Sequence, residues 1–156
     1  MSMEPIRRSV TVGLERERAF TLFTEEIGTW WPVEMHSRAI DEFVDEDLKV
    51  ERVEFQSRVG GQVLEHMSDG RTLPWGEVLV WEPPGRFVLA WHPSSSSRPP
   101  TEVEVRFTSG PDGTLVELEH RGWERLGSEF AEVRDGYDSG WAPTMERFRI
   151  AASEAA

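Results

Sequence analysis

The chain has 156 residues, and its 29 Asp and Glu against 17 Lys and Arg give a formal net charge of −12. This acidic balance excludes proteins that follow nucleic-acid phosphates or adhere to an anionic membrane surface. The lack of cysteine excludes a disulfide framework, a thiolate metal site and a thiol nucleophile. No apolar stretch approaches the ~18 residues of a membrane span. We therefore expect a soluble cytoplasmic protein with one domain, residues 1–156.

Apolar periodicity predicts a strand at residues 6–12 and an amphipathic helix at 15–26 that Gly28 ends. Residues 33–47 are acidic and irregular, and we predict a loop there, with a short helix as the alternative. Six more strands follow, separated by turns rich in glycine and proline: 48–58, 62–67, 73–81, 86–92, 101–108 and 114–121. Residues 93–100 (PSSSSRPP) are predicted to form a mobile, low-complexity loop.

The last predicted element is a long helix over residues 128–155. Its apolar stripe recurs at spacings of three and four and should face a sheet: Phe130, Val133, Tyr137, Trp141, Met145 and Phe148. Gly136, Gly140 and Pro143 interrupt this stripe and predict a kink or a break into two pieces. Consecutive hairpins make an antiparallel sheet, and a curved sheet around this helix would bury both apolar faces. Such an α+β arrangement often leaves an apolar hollow between sheet and helix.

A series of short motifs resembles a known family. In chain order they are Ala19-Phe20 with Phe23, Trp30-Trp31-Pro32, Val59-Gly60-Gly61, Trp75-Gly76-Glu77-Val78, Glu82-Pro83-Pro84, Trp91, Thr101-Glu102-Val103, residues 114–120 (TLVELEH), Gly122-Trp123 and Gly140-Trp141. Over nearly its whole length the chain is similar to the activator of heat-shock protein 90 ATPase homology domain. That domain belongs to the START-like, birch-pollen-allergen-like (SRPBCC) superfamily.

The resemblance implies a helix-grip fold. About seven antiparallel strands would wrap around the C-terminal helix, with a short helix or helices after the first strand. The superfamily includes lipid and hormone carriers, polyketide cyclases, oxygenase domains and a co-chaperone, so membership implies no single activity. The co-chaperone also uses a separate N-terminal domain, for which this chain has no room.

Seven tryptophans are many for 156 residues. Trp75, Trp91, Trp123 and Trp141 fall on or beside the proposed grip, and Tyr137 lies on the stripe of the long helix. They could line a pocket for a flat or greasy ligand, or simply fill the core. His120 shares a strand face with Val116 and Leu118 and should point inward. It is either a satisfied core histidine or a polar group that orients a ligand or shuttles a proton.

Two carboxylates are candidates for a general acid or base. Glu65 shares strand parity with Val63, and Glu77 shares it with Trp75 and Leu79, so either could point into the interior. A surface or salt-bridge role is the alternative for both. The other strand carboxylates alternate with apolar neighbours and are predicted to lie on solvated faces: Glu102, Glu104, Glu117 and Glu119.

Neither a metal nor a cofactor is expected, because the histidines lack metal-ligand spacing and no nucleophile elbow or catalytic triad is present. Three functions stay open. The leading one is binding of a small hydrophobic or aromatic molecule in an interior cavity, without catalysis. The second is an enzyme of the cyclase or hydrolase type that uses His120 with Glu65 or Glu77. The third is a co-chaperone-like module with a protein partner, and a homodimer is also left open.

Overall fold

Seven strands and one long helix dominate the computed structural model, which describes residues 4–32, 50–91 and 100–156. The strands are β1 (Ile6–Val12), β2 (Val50–Phe55), β3 (Gln62–Met67), β4 (Thr72–Glu82), β5 (Arg86–Trp91), β6 (Thr101–Gly110) and β7 (Gly113–Arg121). They form one antiparallel sheet in the order β1-β7-β6-β5-β4-β3-β2. The predicted hairpin series is confirmed. In the β6–β7 hairpin, which turns between Gly110 and Gly113, Val103 lies opposite His120.

The first helix, α1 (Arg16–Phe23), is shorter than the predicted 15–26. Thr24 closes its last turn, since its N–H and its hydroxyl both donate to the Phe20 carbonyl, at 3.1 and 2.8 Å. A side-chain hydroxyl that competes for a helix carbonyl weakens further helical pairing. A single 3-10 turn, Ile27–Thr29, follows before the chain reaches Trp31.

The C-terminal helix, α2 (Phe130–Ala155), is continuous and follows short 3-10 turns within Trp123–Glu129, which a non-helical Gly127 with φ 61° separates. The predicted break into two pieces is therefore wrong. Pro143 lies inside α2 and lacks the N–H of a regular helical hydrogen bond. Packing of the buried stripe offsets this loss, because Trp141, Met145 and Phe148 are all buried against the sheet and α1.

The inner face of the sheet packs against both helices and carries a group of phenylalanines, here named the phenylalanine cluster: Phe20, Phe23, Phe55, Phe87, Phe107 and Phe148. Their neighbouring ring centroids are 4.9–6.2 Å apart. Trp30 packs against Phe23 and Phe148 and donates its indole N–H to the Leu22 carbonyl at 2.8 Å. These contacts make a closed apolar core at one end of the grip.

The outer face of the sheet carries a network of ion pairs. The Arg121 guanidinium contacts Glu102, Glu104 and Glu119 at 3.2, 2.6 and 2.9 Å, and Arg86 reaches Glu104 at 3.0 Å. The prediction that Glu104 is solvated is wrong, because these arginines leave its side chain only 8% exposed. Burial raises the pKa of Glu104, but hydrogen bonds from Arg121 and Arg86 outweigh it and hold that pKa below its usual value.

The predicted loop at 33–47, residues 93–99 of the predicted mobile loop, His36 and His92 lie outside the described residues. Within the described ranges, no helix is both long and apolar enough to cross a membrane.

Candidate functional site

Four indole rings and one phenol meet at the other end of the grip. We name this group the tryptophan cluster: Trp31, Trp75, Trp91, Trp141 and Tyr137. Trp75 comes from β4 and Trp91 from the end of β5, while Tyr137 and Trp141 lie one turn apart on α2. The structure therefore brings together the aromatic residues singled out in the sequence.

Ring contacts join every member of the cluster. Trp31 lies 4.6 Å from Trp75 and 6.0 Å from both Trp91 and Trp141, measured between ring centroids. Trp91 lies 6.0 Å from Trp75, 5.6 Å from Trp141 and 6.4 Å from Tyr137. Sequence reasoning missed Trp31 as a site residue. Its signal was available, because Pro32 disfavours helix at Trp31 and so ends the preceding helical segment there.

The cluster has a buried side and a more open side. Its four indoles are at most 7% exposed, so none of them borders a large hollow in this conformation. Tyr137 is half-buried, as are Ala131 and Val133 in the preceding turns of α2, and all three pack against the core. The Tyr137 side of the cluster therefore keeps some contact with solvent, whereas the indoles contact one another on the buried side.

His120 lies fully buried beside the cluster, with both ring nitrogens paired. The indole N–H of Trp141 donates to its Nδ1 at 2.9 Å, and its Nε2 lies 2.7 Å from the Thr101 hydroxyl. Since an indole N–H can only donate, Nδ1 is the unprotonated nitrogen and Nε2 carries the hydrogen. Burial lowers the pKa of His120 to about 3. At neutral pH the ring is uncharged and both of its nitrogens are hydrogen-bonded. This is the arrangement of a satisfied core histidine rather than of a proton shuttle.

Tilted and edge-on ring contacts hold the imidazole in place as well. Trp123 lies 4.3 Å from the His120 ring and donates its indole N–H to the His120 carbonyl at 3.0 Å. Tyr137 lies 4.8 Å from the same ring. Thr101 was not predicted as a site residue. Its place at the start of a strictly alternating strand, in phase with the inward-facing Val103, was the available signal.

The two candidate acids separate in the structure. Glu65 is fully buried on the inner face of β3, where its Oε1 accepts the Trp75 indole N–H at 2.5 Å. Glu77 is exposed, so the prediction that it could point inward is wrong. Val63 pairs with Gly76 but the next residue of β3 pairs with Pro74, which makes Trp75 an extra, bulged residue. This bulge reverses the parity of β4 and turns Glu77 toward solvent.

The backbone at the bulge needs a glycine. A Cβ atom on Gly76 would lie 2.5 Å from the Ala90 carbonyl oxygen of the neighbouring strand. The Trp75-Gly76 pair therefore lets Trp75 enter the cluster while β4 and β5 stay paired.

A carboxyl group is buried at the site. Among the buried residues of the described chain are the carboxylates Glu65 and Glu104, but neither a lysine nor an arginine. Glu104 lies on the outer face, so Glu65 is the acid of the tryptophan end. Within the described ranges, no group of three or more His, Asp or Glu side chains is placed to hold a metal ion.

A curled seven-stranded antiparallel sheet around a long C-terminal helix, with a short helix after the first strand, is the START-like helix-grip fold. Residues 14–152 match the model of the family described as activator of Hsp90 ATPase homolog 1-like protein, and the chain belongs to this family. No functionally curated protein matches the chain significantly.

Solved structures with the same fold cover nearly the whole chain. The AHSA1-like protein from Aeromonas hydrophila is 20% identical, with a TM-score of 0.64, and the match covers 97% of this chain and 93% of that one. Protein MLL2253 from Mesorhizobium loti is 17% identical, with a TM-score of 0.66 and coverage of 97% and 98%. The anthrahydroquino-gamma-pyrone synthase Txn09, solved in complex with SUM, is 30% identical, with a TM-score of 0.60 and coverage of 96% and 99%.

Proposed function

We propose that this protein binds a planar, uncharged aromatic small molecule against the tryptophan cluster. The observation that carries the proposal is the convergence of four indoles from separate elements, with centroids 4.6–6.0 Å apart. The indole N–H groups of Trp75, Trp91 and Trp141 are each paired to a protein group. Such rings present apolar area with no unpaired donor, which favours stacking with a flat aromatic ligand.

The half-exposed side of the cluster is where a ligand would lie. Ring contacts fill the space between the indoles, whereas Tyr137 and Val133 on α2 keep part of their apolar area in solvent. A ligand ring on that side would cover this area and stack near Trp91. Burial of apolar surface would then supply most of the binding free energy, at about 25 cal/mol per Å².

The charge of the site favours an uncharged ligand. Glu65 is fully buried at the tryptophan end, and the described residues bring no buried lysine or arginine to it. The whole chain carries a formal charge of −12. Among the described residues a ligand carboxylate would find no buried cationic partner to offset its lost hydration, so neutral aromatics should bind more tightly than their acids.

The relation to Txn09 supports the same ligand class. Its name denotes a synthase of an anthrahydroquino-pyrone, a compound with fused aromatic rings. At 30% identity over nearly both chains, an aromatic compound of this kind is a reasonable ligand for the present protein.

Titration of intrinsic tryptophan fluorescence with 2-naphthol and 2-naphthoate tests the proposal. We expect saturable binding of 2-naphthol and binding of 2-naphthoate that is at least about tenfold weaker. Tyr137→Ala should weaken 2-naphthol binding, whereas Ile150→Ala, at an exposed site of the same helix, should not. Glu65→Gln should reduce the difference in affinity between 2-naphthol and 2-naphthoate. Absence of saturable 2-naphthol binding would contradict the proposal.

An enzyme of the cyclase type is the second candidate function, and the name of Txn09 is the observation that favours it. Glu65 would then be the acid or base, since His120 is neutral with both nitrogens paired and Glu77 faces solvent. Native mass spectrometry of freshly purified protein would reveal a bound compound. Chromatography with mass spectrometry would follow its conversion by the wild type and by Glu65→Gln. Conversion by the wild type alone would favour catalysis over binding.

A protein-interaction module is the third candidate. The exposed large hydrophobics among the described residues are scattered over three elements and the turn before β3: Val59, Leu79, Leu115 and Ile150. Single exposed apolar residues are ordinary on a monomer and support this function least. The homodimer that the sequence left open is tested by light scattering during size-exclusion chromatography, where a mass of twice 17.9 kDa would be required.

A further inference from the structure

A directional chain of hydrogen bonds runs through buried side chains next to the tryptophan cluster. The Trp141 indole N–H donates to His120 Nδ1 at 2.9 Å, and His120 Nε2 lies 2.7 Å from Thr101 Oγ1. The Thr101 hydroxyl in turn donates to the Trp91 carbonyl oxygen at 3.3 Å. The three side chains that form this series of hydrogen bonds are at most 3% exposed, so water cannot readily replace any of these partners.

This series of hydrogen bonds allows only one assignment of donors and acceptors. The Trp141 indole can only donate and the Trp91 carbonyl can only accept. The imidazole and the hydroxyl between them must therefore each accept a hydrogen bond on the Trp141 side and donate one on the Trp91 side. The neutral imidazole with its hydrogen on Nε2 satisfies both ends. The other tautomer would place two N–H groups against each other at Trp141 and leave Nε2 without a hydrogen to donate.

We propose that Thr101 and His120 are positioning residues that fix the indoles of Trp91 and Trp141 as a preformed wall for the aromatic ligand. The inference rests on the proposed function, in which these two rings belong to the ligand wall. Neither Thr101 nor His120 needs to touch the ligand. Their role is to hold two rings from different elements, β5 and α2, in one relative orientation, so that little ordering is left for the binding step.

The surroundings of the two residues fit this role. Trp91 is held at both its ends, since its carbonyl accepts from Thr101 and its indole N–H donates to the Tyr137 hydroxyl at 2.9 Å. The His120 ring packs against both Trp123 and Tyr137, at 4.3 and 4.8 Å between ring centroids. Loss of the Thr101 hydroxyl would leave the His120 Nε2–H unpaired in a dry site, and reorientation of the ring would release Trp141.

A second buried threonine provides a matched control. Thr114 at the start of β7 is fully buried, and its hydroxyl donates to the Leu14 carbonyl at 2.7 Å. It lies at the opposite end of β7 from His120. Thr114→Val therefore removes a hydroxyl of the same kind from the same sheet and leaves the hydrogen bonds of His120 intact.

The experiment compares Thr101→Val, Thr101→Ser and Thr114→Val. We expect Thr101→Val to weaken 2-naphthol binding by roughly fivefold or more and to change the near-UV circular dichroism of the tryptophans. Thr101→Ser should retain both wild-type properties. Thr114→Val should lower the free energy of unfolding about as much as Thr101→Val does. Its dichroism and its affinity for 2-naphthol should stay those of the wild type. Nitrogen-15 spectra of the wild-type His120 ring should show the Nε2–H tautomer.

Three results would overturn the inference. The first is wild-type affinity and dichroism in Thr101→Val, and the second is an equal loss of affinity in Thr114→Val. The third is a wild-type ring that carries its hydrogen on Nδ1, a measurement that does not depend on any variant folding. A wild-type protein that binds no 2-naphthol would instead defeat the proposed function. Dichroism and the tautomer would then still decide whether the two residues position the indoles.

Discussion

The two aromatic ends of the core use the same helix for different purposes. Phe148 of the phenylalanine cluster and Trp141 of the tryptophan cluster lie two turns apart on α2. The phenylalanines have no polar atoms and pack against one another and against Trp30 and Trp81. The indole N–H groups of Trp75, Trp91 and Trp141 instead point to a carboxylate, a phenol and an imidazole. The first end excludes water by shape alone, whereas the second also fixes the orientation of its rings.

Burial along α2 follows the same division. Met145, Phe148 and Ala152 in its second half are at most 2% exposed, whereas Val133 and Tyr137 in its first half are half-buried. The second half anchors the helix in the core. The first half leaves apolar area beside a set of oriented rings, as a binding site requires. Stability and recognition thus depend on different turns of one helix.

The largest expected effect is at the phenylalanine end. Phe148→Ala should lower the free energy of unfolding by about 3–5 kcal/mol, because the cavity lies in a closed core with ring neighbours on several sides. Urea unfolding measures this loss. The folded fraction should still bind 2-naphthol with nearly wild-type affinity. A large loss of affinity without a loss of stability would show that the two ends are not separate.

Acid should destabilise the protein through the tryptophan end. The pKa of His120 is lowered by burial from 6.5 to about 3, so below pH 6.5 the unfolded chain binds a proton that the folded chain excludes. Stability from this group is complete above pH 6.5 and is lost as the pH falls toward 3, by roughly 3 kcal/mol at pH 4. Proton NMR of His120 at pH 5 should show a neutral ring in the folded protein and a charged ring in urea. A charged folded ring would refute the prediction.

Two matched tryptophan substitutions compare the ends directly. Trp141→Phe leaves His120 Nδ1 without its donor, and Trp30→Phe leaves the Leu22 carbonyl without one. Each should cost about 1–3 kcal/mol of unfolding free energy, as expected for a buried acceptor that loses its partner. Only Trp141→Phe should also weaken 2-naphthol binding in a fluorescence titration. Equal effects of both variants on affinity would remove the distinction between the clusters.

The smallest effect is expected at Glu77. Since this carboxylate faces solvent, Glu77→Gln should change the free energy of unfolding by less than about 0.5 kcal/mol. It should also leave the preference for 2-naphthol over 2-naphthoate unchanged. Glu65→Gln, in the buried position, is expected to reduce that preference. Similar behaviour of the two variants would mean that Glu65 does not set the charge of the site.

Periodicity and turn residues were sufficient to predict a curved antiparallel sheet around a C-terminal helix. Alternation over 101–108 and 114–121 and the Gly110–Gly113 turn predict the β6–β7 hairpin, because strand parity and turn chemistry are local properties. The same local signals predicted a kink or a break of α2 at Gly136, Gly140 and Pro143, and the break is wrong. Whether a proline breaks a helix depends on the packing of its other residues, which a local pattern does not contain.

The sequence by itself also determined which residue types would face inward on regular strands, and His120 and Glu65 do so. It did not determine the orientation of Glu77, because parity holds only until a bulge adds a residue, and the bulge at Trp75 arises from pairing with β3. Nor did it join Thr101 to Trp141. These residues are 40 positions apart in the chain, and only the pairing of β6 with β7 and the docking of α2 bring both to one imidazole. Long-range contacts of this kind are decided by the packing of the whole chain. The hydrogen bonds that orient the tryptophan cluster are therefore determined by the tertiary structure alone.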